Sequence, residues 1–148
     1  MDQQLNKELE KLHTAAIDAR NGYQEAAEDA EGKGMTPLFR ELIALHQDHA
    51  TALSQVLAGA GAKPDDKGSF MSTVHKTIMD VRSMFNGLDE SVLPGLIDGE
   101  KRNVSKYDEA LQLGRSSEVG ALLATQRGAI VQKIAEMERM KEAHQSAA

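Results

Sequence analysis

Residues 39–60 read FRELIALHQDHATALSQVLAGA, with Ala44-Leu45-His46-Gln47-Asp48-His49-Ala50 at their centre. The apolar residues step by threes and fours: Phe39, Leu42, then Leu53, Val56 and Ala60. That spacing predicts an amphipathic helix over about 37–60. His46 and His49 occupy the two steps that complete the series. Two imidazoles therefore interrupt a seam that is otherwise hydrocarbon.

Upstream, Leu5, Leu9, Leu12, Ala16, Ala19, Tyr23, Ala26 and Ala30 follow alternating steps of four and three. This predicts a long helix over about 4–31 and suits a strand poorly. Gly32 and Gly34 give it a stop, and Thr36-Pro37 reads as a cap with proline at the first helical position. So short a link implies an antiparallel return.

Downstream, Gly59, Gly61 and Pro64 end the central helix, and residues 62–68 read as a polar surface loop. Ser69 can cap a shorter helix with the stripe Met71, Val74, Ile78, Val81 and Phe85, stopped by Asn86-Gly87. A third long helix is expected from residue 89 or 91 to 113, its start fixed by how Pro94 is accommodated. Its inner stripe is Leu93, Leu96, Glu100, Tyr107 and Ala110 or Leu111. Gly114 ends it, Ser116 or Ser117 caps the next, and the last helix runs to about residue 142 before a frayed tail. Val119, Leu123, Gln126, Ile130, Met137 and Met140 or Lys141 trace its stripe. Gly120 and Gly128 are poor helix residues and imply close approach by a neighbouring helix.

The connections run short, long, short. This predicts one all-α domain over 1–148: a ferritin-like antiparallel four-helix bundle, with a crossover over about 61–88 carrying a short extra helix. A local phrase recurs in both halves. Arg20-Asn21-Gly22-Tyr23-Gln24-Glu25-Ala26 resembles Lys106-Tyr107-Asp108-Glu109-Ala110 when aligned on tyrosine, as duplication of a hairpin would leave it.

Collecting the inward polar residues gives His46, His49, Glu100 and Gln126, with Tyr23 and Tyr107 near. Buried without partners, such groups cost several kcal/mol. Either they hold something or they satisfy one another. Imidazole and carboxylate converging from facing helices is how bundles bind iron or manganese, and His46 and His49 share a face. The alternative is a hydrogen-bonded core layer that fixes helix register. His13, His75 and His144 read as surface or boundary residues.

Composition narrows the classes. The formal net charge of −6 disfavours a phosphate-backbone binder. With two Tyr, three Phe and no Trp, stacking platforms for nucleic acid are lacking. No cysteine is present, which excludes disulfides, thiolate metal sites and thiol nucleophiles. No apolar run reaches the ~18 residues of a membrane span, and no signal peptide is visible, so the expected location is cytoplasmic. No phosphate loop, nucleophile elbow or zinc motif occurs.

The whole chain resembles an uncharacterised bacterial family of ferritin-like bundles, described only as a domain of unknown function. The resemblance is carried by Tyr23-Gln24-Glu25-Ala26-Ala27, by Gly68-Ser69, by Glu100 seven before Tyr107, and by Tyr107-Asp108-Glu109-Ala110-Leu111. The wider ferritin and rubrerythrin group holds two irons with a Glu on helices one and three and Glu-x-x-His on helices two and four. On that pattern Glu100 matches, and Ala16 stands where the first-helix Glu is expected. His46-x-x-His49 keeps the His without the Glu, and Gln126-x-x-Ala129 keeps neither. The resemblance thus implies a degenerate di-iron site.

Two functions are therefore expected to compete. One is a non-catalytic bundle without a cofactor, acting by assembly or partner binding, with a stress role implied by the family's company. The other is a protein binding iron, manganese or zinc through His46, His49 and Glu100, with Asp18 or Gln126 as helpers. A homo-oligomer, a dimer first, is expected in either case, with no nucleic-acid or membrane partner.

Overall fold

The computed structural model describes residues 3–29, 35–61, 92–115 and 117–147. They form four helices: α1 (Gln3–Asp29), α2 (Thr36–Gly59), α3 (Leu93–Gly114) and α4 (Glu118–Ala147). Among the described residues there is no strand. Among the described residues no helix is long and apolar enough to cross a membrane. The expected crossover lies outside the described residues apart from Gly61, as do its helix, the loop over 62–68, His75, and Gly32 and Gly34.

Helix α1 packs along α2, and α3 packs along α4. Across the two hairpins, α1 touches α3 and α2 touches α4, the last pair least extensively. Named contacts give the directions. Tyr23 lies beside Phe39 while Arg20 bonds Gln47, so α1 and α2 run oppositely. Tyr107 meets Gln126 while Lys101 meets Glu138, so α3 and α4 do too. The Leu5 side chain lies against Gly114, and Glu41 is tied to Lys133.

The α1 seam is buried as its spacing predicts: Leu5, Leu9, Leu12, Ala16, Ala19, Tyr23 and Ala26 are all enclosed. Enclosing one such leucine contributes about 1.5–3 kcal/mol. The buried arc is wider than one seam, because α1 packs on two helices. His13, expected at the boundary, is buried with 1 % of its surface exposed, and Ile17 and Asp18 are buried with it.

In α2 the seam drifts by one residue after Leu53. Leu57 is enclosed, whereas Val56 is half-buried and Ala60 exposed. At 3.6 residues per turn, a step of four keeps the stripe on the core where another step of three rotates it away. The cap also differs from expectation. Met35 holds the N-cap position, with no side-chain capping bond, and Thr36 is the first helical residue, followed by Pro37. Met35 is fully buried, so packing fixes this helix start.

Helix α3 begins at Leu93 with Pro94 in its first turn, where a missing N–H costs nothing. Helix α4 continues to Ala147, past the expected end near 142. The two glycines of α4 differ. A Cβ on Gly120 would lie 2.8 Å from the Gly114 carbonyl oxygen and closer still to that of Arg115. The turn backbone, not a neighbouring helix, fills that space. A Cβ on Gly128 would meet nothing within 4 Å, so the expected close approach is absent there. In that turn the Ser117 hydroxyl donates to the Gly114 carbonyl at 2.6 Å.

Candidate functional site

Four helices each send a polar side chain into the core at one level. Tyr23 comes from α1, His46 and His49 from α2, Glu100, Asn103 and Tyr107 from α3, and Gln126 from α4. All seven are buried, and Glu100 and Tyr23 have no exposed surface at all. A carboxylate in that position must be met by donors or cost several kcal/mol.

Glu100 is met by three. The Tyr23 hydroxyl donates to Oε1 at 3.0 Å, His46 Nε2 lies 3.0 Å from Oε1 and 3.2 Å from Oε2, and Asn103 Nδ2 donates to Oε1 at 3.4 Å. An ionised carboxylate only accepts, so the hydrogen between it and His46 sits on Nε2. Burial pushes the Glu100 carboxyl up. The adjacent His46 and the bonds from His46, Tyr23 and Asn103 outweigh burial, and the group ends below the ordinary carboxylate range. Tyr23 is held far above the usual phenol range by burial, by the Glu100 charge and by its own bond to Glu100.

Beside this charged cluster lies a neutral one. The Tyr107 hydroxyl donates to Gln126 Oε1 at 2.6 Å, and Gln126 Nε2 donates to the His49 backbone carbonyl at 3.4 Å. The Tyr107 phenol is raised by burial and by the Glu100 charge. His49 stands between the clusters, its ring edge-on to His46 at 6.1 Å and to Tyr107 at 6.3 Å between centroids. Its Nδ1 is buried without a hydrogen-bond partner. Burial first, and His46 second, push His49 down to about 4, against a smaller opposing pull from Glu100. It is a neutral imidazole at pH 7.

The four polar residues expected to point inward, His46, His49, Glu100 and Gln126, are all buried, and the helper Asp18 is also buried on α1. Glu100 and His46 are brought into direct contact. Ala16 lies in a separate small apolar cluster with Ile17 and Ala50, and Ala129 is half-buried. Asn103 was missed by sequence reasoning, although a step of three from Glu100 lands on it. Among the described residues, no three His, Asp or Glu side chains group as a metal-holding set.

The model of a family described as a domain of unknown function, DUF2383, matches residues 4–113. The chain belongs to this family. The DUF2383 match spans α1, α2 and nearly all of α3, and so takes in every member of the polar layer except Gln126. No curated protein and no solved structure matches the chain.

Proposed function

We propose that this chain is a ferritin-like antiparallel four-helix bundle that works by assembly or partner binding, without catalysis of its own. In this reading the buried polar layer replaces a di-iron centre with a structural element. The supporting observation is how Glu100 is used. Its carboxylate takes donors from Tyr23, His46 and Asn103. To ligate a metal through Nε2, His46 must first give up its hydrogen bond to Glu100. Donors facing donors' natural acceptor is the chemistry of a closed network, not of a ligand set.

A second reading has one observation in its favour. His49 offers a buried, neutral ring with an unused Nδ1, and neutral imidazole is what iron, manganese and zinc take. His46, His49 and Glu100 would then hold one ion.

Metal content separates the two. Protein without a histidine tag is incubated anaerobically with Fe(II), Mn(II) or Zn(II), freed of excess, and assayed. The structural reading expects substoichiometric metal in the wild type and no change in the His46→Ala, His49→Ala variant. A full equivalent that disappears in the variant, with helix content retained, establishes the second reading instead.

A further inference from the structure

The two hairpins, α1–α2 and α3–α4, are nearly alike in what they bury. Each has a seam of Leu, Ala and Ile and one inward tyrosine, Tyr23 or Tyr107. Apolar seams of that kind do not discriminate between partners. The polar residues do. At this layer the first hairpin contributes imidazoles and a phenol, and the second contributes the carboxylate, with Asn103, Tyr107 and Gln126; the buried Asp18 of α1 lies outside the hydrogen-bonded layer. Buried side-chain bonds that join the hairpins include Tyr23 to Glu100, His46 to Glu100, and Gln126 to the His49 carbonyl.

We propose that the His46–Glu100 pair is a recognition code between hairpins. Through it α1–α2 accepts α3–α4, of its own chain or of a second copy, and rejects another α1–α2. Like-with-like pairing fails at this layer. Two α3–α4 hairpins would face carboxylate with carboxylate in a dry core, so one must take up a proton. Two α1–α2 hairpins would leave the Tyr23 hydroxyl and the His46 N–H without a carboxylate. The occupant that fits an α1–α2 face is therefore α3–α4 alone, and a dimer consistent with this code forms by exchange of hairpins. The inference rests on the structural reading of the layer, which the metal assay tests separately.

The test uses the full chain in three forms: His46→Glu, Glu100→His, and the double variant. Each single variant carries like groups on both of its hairpins. Mixed and refolded together, the two restore complementary faces only if each chain docks its hairpins on the other. The expected result is a heterodimer by native mass spectrometry, enriched more than about tenfold over the dimers of either variant alone. The double variant, complementary within one chain, is expected to recover the wild-type helix content and midpoint that both singles lose. A mixture without heterodimer overturns the code between chains, even where the double variant folds. Single variants as stable as wild type, or a double variant no better than the singles, overturn it altogether.

Discussion

The two tyrosines of the polar layer sit at matching places in α1 and α3, yet they donate to different groups. Tyr23 gives its hydrogen to an ionised carboxylate, Glu100, whereas Tyr107 gives its hydrogen to a neutral amide, Gln126. The geometry of the second bond is the tighter, 2.6 Å against 3.0 Å. The electrostatic stake is far larger in the first, because a lost partner there leaves a charge in hydrocarbon rather than a dipole. The layer thus concentrates its charge at one point and keeps the rest neutral. His49 marks the border between the two halves.

Removing Glu100 is expected to have the largest effect. Glu100→Ala strands the Tyr23 hydroxyl, the His46 N–H and the Asn103 amide together and opens a cavity. A loss of about 3–5 kcal/mol in urea unfolding is expected. Glu100→Gln keeps one acceptor oxygen and should cost clearly less. Equal losses in the two variants would mean that shape, not hydrogen-bond acceptance, is what position 100 supplies.

Acid probes both halves at once. The folded pKa of His49 lies at about 4, below the ordinary value of 6.5. The unfolded chain therefore binds more protons between those values, and stability falls as the pH drops from 6.5 through 4. Glu100 is also lowered from 4.5, so its contribution is lost in turn as the pH falls below that. The two slopes have the same sign. The His49 shift corresponds to a decline of about 2 to 3 kcal/mol. His49→Gln should flatten the slope between pH 6.5 and 4.5 and leave the fall below pH 4.5 in place. An unchanged upper slope in that variant would remove His49 from the account.

Much of this layer is legible in the linear sequence, for a definite reason. Three-and-four spacing fixes which side of a helix faces inward, and so it finds His46, His49, Glu100 and Gln126. It does not fix axial level or partner. Tyr23 and Glu100 are 77 positions apart, and His46 and Glu100 are 54 apart. Only the packing of α1 on α3, with His46 reaching across from α2, reveals that one carboxylate serves both. Spacing also sees one stripe per helix. On α1, which touches two neighbours, that hides the burial of His13 and Asp18. The start of α2 escapes for another reason: the buried Met35 side chain sets it, where a polar cap is the usual signal.

The neutral half should yield least. Gln126→Leu removes the acceptor of the Tyr107 hydroxyl and the donor to the His49 carbonyl, and it fills their space with a side chain of similar volume. The His49 carbonyl keeps its place in the helix, so only the phenol hydroxyl is left without a partner. That costs about 1–2 kcal/mol, partly offset by the added apolar contact. Adding Tyr107→Phe removes the stranded hydroxyl and should recover most of that loss, since replacing both partners of a buried pair by apolar groups approaches neutrality. Urea unfolding of the single and double variants measures the recovery. The corresponding pair at the charged half, Glu100→Leu with Tyr23→Phe, leaves His46 and Asn103 still unanswered and should recover little. Recovery of the same size in both halves would show that charge does not set them apart.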